Sequence, residues 1–133
     1  MSLLVLDDQL AASEVLLPLR KWSKVKRLRD LLPAEQILDD RVPEILLKLH
    51  QPTFVTIDQG FWDRNLCNMG YCTLYFALRD DQQEMLPGLL QKLLRKTAFR
   101  TRTFRMGKVA PVSSRSIDTW RFKSSKLLLI HWN

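Results

Sequence analysis

The chain has 133 residues, 46% of them apolar, which is enough to bury one core of ordinary domain size without disulfide staples, so a single domain over residues 1–133 is expected. Lys and Arg outnumber Asp and Glu by 21 to 14, and the two cysteines, Cys67 and Cys72, have no second Cys pair or nearby His, which argues against a disulfide framework or a four-ligand zinc site. The opening Met1–Asp8 lacks a basic n-region, and no apolar stretch approaches the ~20 residues of a membrane helix, so neither export nor a membrane is indicated and a cytoplasmic location is expected.

Leu3-Leu4-Val5-Leu6 is an unbroken apolar run stopped by Asp7 and Asp8, the pattern of a parallel strand buried on both faces. Gln9 to Leu19 reads as a helix, and Val25 and Leu28 suggest a second strand. Val42, Ile45, Leu46 and Leu49 follow helical spacing behind Asp39-Asp40, with Pro43 in the permissive first turn and a stop near Gln51-Pro52. Thr53-Phe54-Val55-Thr56-Ile57 is a β-branched and aromatic strand ending at Asp58. Gln59 to Gly70 reads as a loop, Cys72 to Leu78 as a fourth strand, and Asp81 to Lys96 as a helix with Leu86, Leu89, Leu90 and Leu93 on one face. Strands near Lys108–Val112 and Ile117–Phe122 follow. The apolar tail from Leu127 to Trp132 is expected to form an edge strand or a homodimer contact, because left free it would expose a sticky edge. Strand–helix alternation of this kind predicts a three-layer α/β/α sandwich with a mainly parallel central sheet and extra C-terminal edge strands.

Charge divides unevenly along the chain. Residues 1–91 hold 10 basic and 13 acidic side chains, whereas residues 92–126 hold 11 basic ones and the single acid Asp118. The second region is suited to a polyanion, with Arg100, Arg102, Arg105, Arg115 and Arg121 as the candidate phosphate contacts, or else is a solvated surface. The acids of the first region are available for cations. In an open parallel sheet the residues just beyond the carboxyl ends of the strands converge. Asp7, Asp8 and Asp58 occupy such places, with Asp40, Glu44 and Asp63 expected close by. Carboxylates gathered in one crevice repel unless a cation neutralises them, and oxygen ligands without His or Cys favour Mg²⁺ or Mn²⁺. Duller roles are open to several of them: an N-cap for Asp40, solvated helix surface for Glu44, and a pair with Arg64 for Asp63.

Leu6-Asp7-Asp8-Gln9-Leu10 resembles the Leu-Asp-Glu-Asn-Leu opening of small PIN-like proteins related to toxin ribonucleases. Asp40 followed by Ile45-Leu46 resembles their Asp-led second helix, and Phe54 to Phe61 their Val-Thr-x-Asp-x-Asp-Phe segment. Gly107-Lys108-Val109 through Arg121 is similar to their short C-terminal strands. The resemblance implies a PIN-like domain that hydrolyses RNA with Mg²⁺ or Mn²⁺, possessing an antitoxin partner if it is a toxin. Asp7 and Asp58 would be principal ligands and catalytic residues, Asp40 a further catalytic residue or ligand, and Asp8, Glu44 and Asp63 auxiliary ligands. Gly60 replaces one acid of the family pattern. The rival reading is therefore a PIN-like module that binds nucleic acid or protein without cutting. A phosphorelay receiver would use Asp7, Asp8 and Asp58 similarly, but would place a Ser or Thr after its fourth strand, where Ala77-Leu78-Arg79 stands, and Lys-Pro after its fifth.

Overall fold

The computed structural model of the protein describes residues 3–31, 42–58, 60, 68–96, 99–113, 116–121 and 128–131. Seven strands form one sheet: β1 (Leu3–Leu6), β2 (Lys24–Arg27), β3 (Thr53–Thr56), β4 (Cys72–Phe76), β5 (Lys108–Val112), β6 (Ser116–Arg121) and β7 (Leu128–His131). Their order is β2-β1-β3-β4-β5-β6-β7. The first five are parallel, and β6 and β7 add antiparallel to the edge. The chain is thus an α/β fold with a mostly parallel sheet, and the tail supplies the edge strand expected of it.

Alternating strand positions divide the core into two clusters. Leu4, Leu6, Val55, Leu74, Phe76 and Ala110 pack with Leu16 and Leu19 and with Leu86, Leu90 and Leu93. Val5 and Phe54 point the other way, toward Leu28, Val42, Ile45 and Leu46. Strands β1 and β3 are packed on both faces in this way, which is why they carry no charges. Cys72 is a core residue, as its apolar surroundings suggest.

The helices are more broken than their periodicity predicts. The first begins as a π-helical turn over Ala12–Leu16 before α1 (Leu17–Arg20). Leu28 does not extend β2 but opens α2 (Leu28–Leu31). The third, α3, spans Val42–Leu47. The fourth is 3₁₀ over Asp80–Met85 and becomes α4 only at Leu86–Leu93, because Pro87 suits a first turn and cannot donate an interior hydrogen bond. A short α5 (Arg102–Arg105) precedes β5, and Gly107, at φ 84°, makes the turn between them. No helix among the described residues is long and apolar enough to cross a membrane.

Candidate functional site at the carboxyl edge of the sheet

The strand order creates a switch point. From β1 the chain crosses to β2 on one side and returns to β3 on the other, so the crevice beyond the carboxyl ends of β1 and β3 is where open α/β sheets place ligands. Asp7 follows β1 and Asp58 lies two residues beyond β3. The Asp7 amide donates to the Val55 carbonyl at 3.0 Å, continuing the ladder by one residue.

Thr56 joins the two acids. Its hydroxyl, fully buried, donates to Asp7 Oδ2 at 2.7 Å and accepts from the Asp58 amide at 3.0 Å. Gln9 Nε2 donates to the same Asp7 oxygen at 3.1 Å. Asp58 Oδ1 in turn accepts from the Gly60 amide at 2.9 Å, closing a tight turn. A Cβ at position 60 would lie 3.2 Å from that oxygen, so the glycine gives the Asp58 carboxylate room.

The segment after Asp7 is held from a distance. Gln83, only 5% exposed, accepts from the Ala11 amide at 2.7 Å and donates to the Gln9 carbonyl at 3.4 Å. A residue of the 3₁₀ turn thereby supplies the first helical segment with a partner for one of its unsatisfied amides and fixes the loop that carries Asp7.

The remaining sequence-derived candidates fall in different places. Asp8 is turned away, since its Oδ1 accepts from the amide of Arg29 at 2.9 Å and from Arg29 Nε at 3.4 Å, capping α2. Glu44 is exposed in the first turn of α3. Among the described residues no three Asp, Glu, His or Cys side chains gather into a group that could hold a metal ion, so Asp8 and Glu44 do not join Asp7 and Asp58 as expected. Asp40, Asp63 and Arg115 lie outside the described residues, as does Cys67. Near the site, the Arg27 side chain hydrogen-bonds Asp30 and holds its carboxyl below the usual range. Stability from that pair is present above the ordinary Asp value of about 4 and is lost as pH falls below it.

Arg105 is a correction. It is 1% exposed and its Nη1 donates to the Phe99 carbonyl at 3.1 Å, so it supports the core and cannot meet a polyanion at the surface. Arg100 is exposed, but it and Arg102 precede β5, whose start is tied to the start of β4 through the Gly107 amide and Tyr71 carbonyl at 3.0 Å. Arg121 pairs in register with Lys108, also at the start of β5. These arginines therefore stand at the amino edge of the parallel strands, about 15 Å from the acids by the length of a strand.

No protein family, curated protein or solved structure matches the chain. The sequence assigned no site role to Thr56, Tyr75, Gln83 or Asp118. The register puts Thr56 beside Tyr75 and Tyr75 beside Pro111, and the β5–β6 pairing brings Pro111 opposite Asp118. Asp7, Thr56, Tyr75, Pro111 and Asp118 thus form one row across five strands on a single face. Sequence signals existed in the alternation Ile117-Asp118 and Leu74-Tyr75, but which face they share with Asp7 depends on the sheet.

Proposed function

We propose that the chain is a PIN-like domain, a three-layer α/β/α sandwich acting in the cytoplasm, that binds Mg²⁺ or Mn²⁺ between Asp7 and Asp58 and hydrolyses phosphodiester bonds of RNA. The observation that carries this reading is the placement of Asp7 and Asp58 beside the β1/β3 switch point, where one buried threonine hydroxyl donates to the Asp7 carboxylate and accepts from the Asp58 backbone amide. The donor set suits the cation. It consists of oxygens only, and Mg²⁺ commonly takes one or two carboxylates while keeping waters and substrate phosphate as its other ligands. When bound, such an ion lowers the pKa of a water and stabilises charge on the transferring phosphate.

The protein's own part is orientation. Thr56 and Gln9 fix the Asp7 carboxylate, the Gly60 amide fixes Asp58, and Gln83 holds the loop between Asp7 and α1. Arg100, Arg102 and Arg121 are proposed to hold RNA that runs around to the amino edge, with Arg115 as a further phosphate contact. The outer edge of β7 is the place proposed for a homodimer contact, and an antitoxin is the protein partner that the toxin reading requires.

The second reading, a PIN-like module that binds without cutting, is favoured by two observations: Gly60 stands where the family pattern has an acid, and among the described residues no three possible metal-ligating side chains gather. A receiver is disfavoured by Ala77, which follows β4 where a hydroxyl would be needed. Incubation of purified protein with single-stranded RNA in Mn²⁺ separates the two PIN-like readings. The nuclease cuts, is silent in EDTA, and loses activity in Asp7→Asn and Asp58→Asn; intact RNA throughout, with binding retained, leaves only the module.

A further inference from the structure

The row that starts at Asp7 ends in a cleft. At the carboxyl ends of β4 and β5 and the start of β6, a cavity of about 360 Å³ is lined by Tyr75, Ala77, Pro111, Ser113, Ser116 and Asp118, with Val112 at its base. This volume lies at the small end of ligand pockets, room for a single planar heterocycle with its sugar rather than a peptide helix. Its wall combines an aromatic ring and a proline ring with one carboxylate.

Asp118 has no evident structural reason to be there. It is half-buried on β6, and its register neighbours are Pro111 and Leu129, neither of which can neutralise it. Among the described residues it makes no hydrogen bond or ion pair, and neither does the Tyr75 hydroxyl. A partly desolvated carboxylate on a strand ordinarily faces a cross-strand base or hydroxyl. Here the carboxylate faces the cleft and is open to a donor that enters it. The Ser113 hydroxyl is already engaged, donating to the Ser116 carbonyl at 3.2 Å and accepting the Ser116 amide at 3.2 Å, which holds the β5–β6 turn and leaves Asp118 as the ionic feature of the cleft.

The ligand chemistry follows from what a carboxylate beside a flat ring discriminates. Guanine presents two adjacent donors, N1–H and the N2 amino group, in one plane. Adenine, cytosine and uracil each set an acceptor beside their donor, which a carboxylate repels. We propose that this cleft is a guanine-selective nucleobase subsite, in which Asp118 accepts from the N1–H and N2–H edge while the Tyr75 ring stacks on the base. Stacking on an aromatic side chain favours any base, and the paired acceptor selects among them. Thr56 to Asp118 spans three strand spacings, about 14 Å, so the subsite serves a nucleotide neighbouring the one at the acid pair. The proposal rests on the RNA reading of that pair and names the nucleotide it prefers.

Calorimetric titration of the full chain with guanosine and with adenosine, in EDTA, tests the subsite apart from any metal or cleavage. Saturable guanosine binding about tenfold tighter than adenosine is expected. Asp118→Asn should weaken guanosine binding by about tenfold and erase the preference. Tyr75→Leu should weaken both nucleosides alike. Asp118→Ser provides a second variant, and an unchanged thermal melt shows that each is folded. Equal affinity for the two nucleosides, no saturable binding, or guanosine binding indifferent to Asp118→Asn overturns the proposal. So does free arginine competing as well as guanosine, which would assign the cleft to a guanidinium of a protein partner. RNA cleavage without guanosine binding sinks the subsite alone, and guanosine binding without Mn²⁺-dependent cleavage sinks the nuclease alone.

Discussion

Replacing Thr56 by Val tests the hub of the acid pair. The substitution keeps the side-chain shape in a fully buried position but removes the hydroxyl that donates to Asp7 Oδ2 at 2.7 Å and accepts the Asp58 amide at 3.0 Å. A hydrogen bond to a charged group contributes about 1.5–3 kcal/mol, and a stranded amide costs about 1–3 kcal/mol when water cannot reach it. Asp58 is half-buried, so water recovers part of the second cost, and a total loss of about 2–4 kcal/mol is expected. Thr56→Ser is the control, because it keeps the hydroxyl and deletes one buried methyl, a cost of about 1 kcal/mol. With a urea slope of about 2 kcal/mol/M, the Val variant should lower the unfolding midpoint by about 1–2 M and the Ser variant by about 0.5 M, with slopes unchanged. If the Ser variant is the less stable of the two, Thr56 acts by packing and the link between the acids is not what holds this edge.

Gln83→Met should cost about 1–3 kcal/mol, because it leaves the Ala11 amide without its 2.7 Å partner, and amide exchange at Ala11 should quicken while α4 stays protected. Unchanged exchange at Ala11 would show that the clamp is incidental. Gly60→Asp puts a Cβ 3.2 Å from Asp58 Oδ1 and adds a third carboxylate, so melting in EDTA should fall and the gain on adding Mn²⁺ should exceed that of the wild type. Arg105→Met removes a buried guanidinium bonded to Phe99, and should destabilise by about 1–3 kcal/mol while leaving the salt dependence of RNA binding unaltered. Arg100→Gln, by contrast, should leave stability unchanged and make that log–log salt slope shallower by roughly 0.7 if the amino edge carries RNA.

Much of the sheet was legible because buried parallel strands announce themselves as short apolar runs. β1, β3, β4 and β5 all fall where such runs occur, and Asp7 and Asp58 are conspicuous because each ends one. What the sequence hid were the partners. Asp8 reads as the twin of Asp7, yet its orientation depends on Arg29, 21 residues away, at the start of a helix that looked like strand. Thr56 reads as an ordinary strand former until the register sets it between two acids. Gln83 did leave a signal, since it shares a helical face with Leu86 and Leu90, where a polar side chain must find a buried partner. A charge count treats every arginine as solvated, which is how Arg105 was misplaced, and it is blind to strand direction, which put Arg100 and Arg121 at the far edge. The half-chain tally also concealed a second basic stretch, with six basic side chains between Arg20 and Arg29, beside the exposed Trp22.

The central claim is that Asp7 and Asp58 share a divalent cation, and Mn²⁺ titration followed by thermal melting measures it most directly. An ion that binds the folded chain alone stabilises it by about 2.7 kcal/mol at one hundred times its dissociation constant. The wild type should therefore melt progressively higher as Mn²⁺ rises through the millimolar range, whereas Asp7→Asn and Asp58→Asn should not respond. A wild-type melt indifferent to Mn²⁺, or an Asp7→Asn variant that responds as fully as the wild type, would contradict the account.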